Sequence, residues 1–395
     1  MISVCLIIPN AFPVPAVKGG AVETLVNNLI DENEIYGNLK ITVVSIYDDQ
    51  AKMLSEKYKN TEFIYIKAGK YEGTKDLYFS QTNQYLSDYV DSIEKELENR
   101  KFDFIIAEGG YIQEYKKLLS KYPKNKCMAH IHGNYEVDEV VDSIYEYYIC
   151  ISDYIAKHIG DIRPVDVSRI KVLYNGIKIE NFNKKISDEE IKRLKNKFNI
   201  KLNENIIMFC GRTTERKGIK ELIKAFKLMK NLNNSKLLIV GNSNFGEEVK
   251  TQYDIELQEE AESIKDRVIF TGFVPNDQLY KFYNIADVAT FPTINEEPFG
   301  LVAIEAMAAG CPLILTNSGA FPEIAQNTSI PLINKGEDLV ENLAKAIDKC
   351  IDNKDKREIV VAEEQNRAKD FSNEAFYKNF VKLLEEIKNK EEGNK

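Results

Sequence analysis

In the segment 295–312, NEEPFGLVAIEAMAAGCP, two carboxylates stand eight residues apart on either side of a glycine that opens an apolar run. If the stretch is helical throughout, Glu297 and Glu305 lie at most ~12 Å apart and within about a quarter turn of the same face. Pro298 favours an opening turn, while Gly310 and then Pro312 stop the helix. Gly300 leaves the amides of the first turn unshielded, ready for phosphate oxygens. Two carboxylates around such an amide cluster could hold hydroxyls on either side of a diphosphate, one set on a sugar and one on a ribose. Glu297 is also explained by the helix dipole alone. Glu305 is not, because a carboxylate inside an apolar helix needs a partner.

Three other segments join it. Gly211 and Gly218 bracket the loop GRTTERKG, which presents Arg212 and Lys217 ahead of a helix. A bidentate fork beside a point charge suits a diphosphate, although solvated surface cations are as common. Gly19-Gly20 precede a helix near residue 21, where adjacent glycines allow a ligand close to the backbone. An ordinary turn explains them three times in four, and GxGxxG is absent. His132-Gly133 follows an apolar run and holds one of three histidines. At the carboxyl end of a parallel strand it stands where a substrate would, and a satisfied loop histidine fits equally well.

The elements that must position these residues read as alternating short apolar runs and longer helical stretches. Strands are expected at 2–9, 40–46, 62–67, 102–107, 127–131, 148–151 and 171–174, then at 206–210, 236–240, 267–271, 288–292 and 313–316. Their unbroken Val, Ile and Leu runs fit parallel strands covered on both faces. Helices are expected at 21–30, 86–98, 219–230, 302–309 and 372–389. Between 178 and 205 the pattern pauses in a charged stretch, where Ser187 and Glu190 make a capping box. The fold expected is α/β, two doubly wound Rossmann-like domains in tandem, 1–180 and 181–371, with the last helix 372–395 ending in a frayed polar tail. Such sheets bind ligands past the carboxyl ends of their strands, at the switch in strand order.

With 395 residues the chain has the length of two domains. Its net charge of −9 argues against obligate binding to nucleic acid. No apolar run reaches the ~18 residues needed to span a bilayer, and the first ten residues lack the basic start of a signal peptide. Six cysteines without a CxxC pair read as buried thiols in a reducing compartment. Asp-x-Asp, the usual cradle for a metal–diphosphate donor, is missing, as are GxxxxGK[ST], HExxH and GxSxG.

Taken together these residues resemble retaining glycosyltransferases of family 4, which have the GT-B fold. The matching pieces are Gly19-Gly20, the VLYNGI segment at 172–177, Gly211-Arg212 with Lys217-Gly218, FTGFVP at 270–275, and Glu297 with Glu305. The resemblance implies two Rossmann-like domains facing each other across a cleft, the first for the acceptor and the second for a nucleotide-sugar. It also implies a C-terminal helix that crosses back to the first domain. Arg212 and Lys217 would hold the donor diphosphate, Glu297 the donor sugar, and Glu305 the ribose. Phe299, Gly300 and Leu301 would offer amides, and the backbone near Phe273 and Val274 would read the base. His132 would sit beside the donor sugar and Gly19-Gly20 against the diphosphate. On this reading His132, Arg212, Lys217 and Glu297 are the catalytic candidates. Two departures, Arg216 before the lysine and Ala320 where a second glycine is common, bear on sugar preference.

The expected activity is hexose transfer from a nucleotide diphosphate sugar, a UDP-sugar foremost, to a hydroxyl on a glycan, lipid-linked or protein-linked acceptor. It would retain the anomeric configuration, use no cofactor and need no metal. A nucleotide-sugar 2-epimerase of the same shape and a non-catalytic glycan-assembly subunit are the alternatives. The five lysines of 115–126 could meet anionic lipid, placing a cytoplasmic protein on the inner membrane face. A solvated helix end is the commoner reading by two to one.

Overall fold

The computed structural model describes residues 1–67, 82–162, 165–242 and 251–393. The chain divides into two compact units, Met1–Gly176 with Asn373–Lys395, and Ile177–Ser372.

In the first unit the strands are β1 (Ile2–Ile7), β2 (Leu39–Ile46), β3 (Thr61–Ile66), β4 (Phe104–Glu108), β5 (Cys127–Ile131), β6 (Tyr147–Cys150) and β7 (Ile170–Val172). They form one sheet in the order β3-β2-β1-β4-β5-β6-β7, with every pairing parallel. The order turns back between β1 and β4, so the loops after those two strands flank the switch point. β1 is buried along nearly its whole length, as the central strand of a sheet covered on both faces must be. The Ala21–Tyr36 helix stops at Gly37, whose φ of 63° lets its N–H reach Asn33 O. The Asn373–Gly393 helix belongs here: Phe376, Phe380 and Leu384 enter the same core as Leu25 and Leu29. Each such side chain contributes about 1.5–3 kcal/mol through burial, and Tyr377 Oη adds a 2.7 Å bond to Asn33 Oδ1. The helix runs past the expected end at 389 to Gly393.

The second unit repeats the plan with β8 (Asn205–Cys210), β9 (Ser235–Val240), β10 (Val268–Gly272), β11 (Val288–Phe291), β12 (Leu313–Thr316) and the two-residue β13 (Leu332–Ile333). Its parallel order, β10-β9-β8-β11-β12-β13, puts the switch point between β8 and β11. The Leu301–Ala309 helix is apolar on all sides and buried, with Glu305 as its one charge, and it ends at Gly310 in the left-handed region. The expected capping box is present at Ser187 and Glu190. Among the described residues no helix is long and apolar enough to cross a membrane. All six cysteines are free, and five are buried.

Candidate active site

The two loops at the second switch point bring Lys217 and Glu297 together. Lys217 ends the short Glu215–Lys217 turn after β8, and Gly218 then takes a φ of 69° to start the Ile219–Leu228 helix. A side chain could not replace that glycine, because its Cβ would lie 2.0 Å from Pro292 O. The tight fit lets Ile294 N donate to Arg216 O at 3.0 Å, which ties the β8 loop to the β11 loop. Lys217 Nζ consequently meets Glu297 Oε2 at 2.5 Å, with both side chains mostly buried. A close ion pair of this kind is charge-assisted. Arg212, on the same loop as Lys217, is exposed.

Glu297 is fixed from its other side by the loop after β12. Ala320 N donates to Glu297 O at 2.8 Å, Gly319 N donates to Glu296 Oε2 at 2.5 Å, and Ser318 Oγ donates to Asn295 O. Lys335 pairs with Glu296. Gly319 is irreplaceable in this packing, since a Cβ there would lie 2.1 Å from Glu297 O.

The helix begins at Leu301, not at Pro298, so the assumption of a continuous helix between the glutamates fails at its start. Gly300 turns the chain at φ 101°, and its missing side chain makes room for Phe321. Phe299 is buried edge-on against Phe371, with ring centroids 5.9 Å apart. Phe299, Gly300 and Leu301 thus follow Glu297 in the chain at the start of this helix, where first-turn amides have no partner within the helix.

Glu305 has the partners its burial demands: Asn276 Nδ2 at 3.3 Å and Tyr283 Oη at 3.4 Å. Burial pushes its carboxyl up to about 7, and the two hydrogen bonds offset this only in part. Asn276 lies three residues past Phe273, which is 51% exposed, and two past Val274. One side chain therefore connects the base-reading candidates to the ribose-binding candidate. Sequence reasoning missed Asn276, Gly319 and Lys335. A cavity of about 280 Å³ lies at the far end of the same helix, beside Ala309 and Gly310. Its three cations are engaged already, Lys185 with Ala309 O, Lys195 with Leu202 O and Arg357 with Asp287.

Gly19, Gly20 and His132 belong to the first unit. Gly19 has open space where a side chain would be. Gly20 does not: its Cβ would lie 2.0 Å from Glu23 Oε2, so the fold itself explains that glycine. Burial lifts Glu23 to about 7, against hydrogen bonds from its own amide and that of Phe12.

His132 sits one residue past β5. Its Nε2 lies 3.1 Å from Glu108 Oε2, the end of β4, and His130 Nδ1 lies 2.9 Å from the same oxygen. The two rings are 4.2 Å apart. Burial first, and then the charge of His130, pull His132 down to about 4. Glu108 is lowered to about 2: its complete burial acts the other way and is outweighed by both imidazoles. One atom from each of the three lies within 4.8 Å of the others, a spacing a divalent ion could use. Here the Glu108 oxygen is occupied by both rings. Glu108 and His130 were not among the expected residues.

Comparison with known proteins bears on the family match of the second unit and on the fold of the chain. The family described as glycosyl transferases group 1 matches residues 190–367. An uncharacterized glycosyltransferase of Methanocaldococcus jannaschii is 34% identical over 179 residues, 45% of this chain and 44% of that protein. The lipopolysaccharide 1,2-N-acetylglucosaminetransferase of Salmonella typhimurium is 29% identical over 225 residues, 56% of each chain. The chain thus spans about half the length of these two relatives. HepE of Anabaena, solved in complex with UDP and glucose, superposes with a TM-score of 0.74 at 20% identity, covering 98% of this chain and 100% of that one. Residues 190–367, which hold Lys217, Glu297 and Glu305, thus match the group 1 glycosyl transferase family, in a chain of GT-B fold.

Proposed function

We propose that the protein is a retaining glycosyltransferase that moves a hexose from a nucleoside diphosphate sugar, UDP-linked, to a hydroxyl of a glycan acceptor in bacterial surface polysaccharide assembly. The observation that carries this is the Lys217–Glu297 pair, fixed from both sides at the switch point in front of the Gly300 turn. As the sugar departs, negative charge grows on the diphosphate. Lys217, Arg212 and the amides at 299–301 stabilise that charge in place, so no metal is required. Glu297 takes the transferred sugar's hydroxyls, and Glu305, deeper along the helix, takes the ribose. With no carboxylate assigned as a covalent nucleophile, retention follows from departure and attack on one face of the sugar.

The Salmonella relative, named for lipopolysaccharide, supports a surface glycan as the product class. The UDP and glucose of the Anabaena structure support UDP-glucose as the first donor to try. The lysines of 115–126 offer less to a membrane than their number suggests. Lys117 pairs with Asp91 and Glu94, Lys121 with Glu94, and Lys126 donates to Phe102 O.

Incubation with UDP-glucose and candidate acceptors, read by UDP release and by the product's anomeric proton, tests the proposal. Transfer with the donor's own anomeric configuration is the expected result. UDP-sugar epimers without transfer would replace the reading with epimerisation, and no turnover of any nucleotide sugar would leave an assembly subunit.

A further inference from the structure

We propose that Glu108 is a positioning residue that holds His132 with its proton on Nε2, so that Nδ1 accepts a hydrogen bond from a substrate hydroxyl. The inference rests on the functional reading above and adds to it the polarity of one contact.

An ionised carboxylate can only accept hydrogen bonds. Glu108 Oε2 is approached at 2.9 Å by His130 Nδ1 and at 3.1 Å by His132 Nε2. Both ring nitrogens must therefore carry their protons. For His132 this settles the tautomer: with the proton on Nε2, a neutral ring presents a lone pair at Nδ1. Burial and the neighbouring His130 both disfavour a second proton on this ring.

The ring has little freedom to turn away. The His130 ring stands 4.2 Å from it. Gly109, at φ 71°, lies against its edge, where a Cβ would come 3.0 Å from His132 Cδ2. Tyr135 closes the same corner, with its Oη accepting from Gly110 N at 3.0 Å. Glu108 and His130 have side chains 2% exposed, whereas that of His132 is 11% exposed, so His132 is the member of the cluster that reaches outward.

The consequence is a selectivity. A neutral imidazole with a bare Nδ1 repels phosphate oxygens, which are acceptors themselves, and binds the proton of a hydroxyl. His132 is thereby excluded from the cation set around the diphosphate and assigned to a sugar or acceptor hydroxyl.

The test has two arms. In uniformly 15N-labelled protein at pH 7, His132 should show a protonated Nε2 and an unprotonated Nδ1; H130Q and H158Q samples assign the three rings. This arm needs no substrate. In turnover, E108Q should lower kcat by about 10-fold or more, the scale of one hydrogen bond lost or misdirected, with UDP affinity changed less than 2-fold. H132Q keeps an N–H for Glu108 but lacks the Nδ1 acceptor, and should be at least as impaired. Because Glu108 acts through His132, E108Q should add nothing in the H132Q background.

A proton on Nδ1 in the wild type would overturn the proposal, as would a bound transition ion in place of the Nε2 proton. So would losses that multiply in the double variant. The correct tautomer in a protein that turns over no nucleotide sugar would instead remove the functional reading and leave the imidazole assignment standing.

Discussion

Lys217 and Glu297 form one charge-balanced unit, so each depends on the other. Replacing Lys217 with alanine removes a preorganised cation from the leaving group, and kcat/KM should fall by ~10²–10³. Donor KM should move less, because the diphosphate charge is fully developed only in the transition state. Steady-state kinetics on folded K217A checks this; near wild-type turnover would place the diphosphate elsewhere. Glu305 makes a different prediction. Its carboxyl, raised by burial to about 7, keeps a proton that the unfolded chain releases near 4.5. Its contribution to stability is therefore fully present below about pH 4.5 and is lost as pH rises through 7. Nucleotide affinity should run the other way, because ribose hydroxyls donate to the ionised carboxylate. UDP affinity measured from pH 6 to 8 should rise in the wild type by a component absent from E305Q. An identical pH profile in the two proteins would remove Glu305 from the ribose.

Among the elements, the loops are held by glycines whose absent side chains leave room for backbone. At Gly218 an alanine would collide with Pro292 O and would also sit in the left-handed region. Gly319 faces Glu297 O just as closely. G218A and G319A should each lower stability by at least ~2 kcal/mol and weaken UDP binding with it. Chemical denaturation measures the first and titration calorimetry the second. Much of this scale is legible in the sequence, because unbroken apolar runs followed by Gly-containing loops mark parallel strands and their ligand-facing ends. What escapes is what depends on neighbours in space. β13 is only two residues long and has no run to show. Glu108 closes the buried strand FIIAE, and its one signal is an acidic residue at a strand end before Gly109-Gly110. Asn276 and Gly319 acquire meaning only through Glu305 and Glu297, 29 and 22 positions away in the chain. The start of the Leu301–Ala309 helix was hidden too, since Pro298 reads as a helix opener and yet lies in the preceding loop.

For the molecule as a whole, the two sheets share one winding rule, and the lysine, arginine and amide groups proposed for the diphosphate all lie in the Ile177–Ser372 unit. If those groups provide the positive charge, donor turnover should persist in excess EDTA. Complete loss, restored by Mn²⁺ or Mg²⁺, would mean that a metal carries the leaving-group charge. The central claim is that one helix start orders the donor, sugar at Glu297 and ribose at Glu305. Calorimetric titration of UDP into E297Q and E305Q, alongside transfer rates, tests it most directly. E297Q should lose sugar transfer while keeping UDP affinity nearly unchanged. E305Q should lose about 1.5–3 kcal/mol of UDP binding, the value of a hydrogen bond to a charged group. The reverse pattern would invert the donor along the helix, and unchanged binding and turnover in both variants would contradict the site itself.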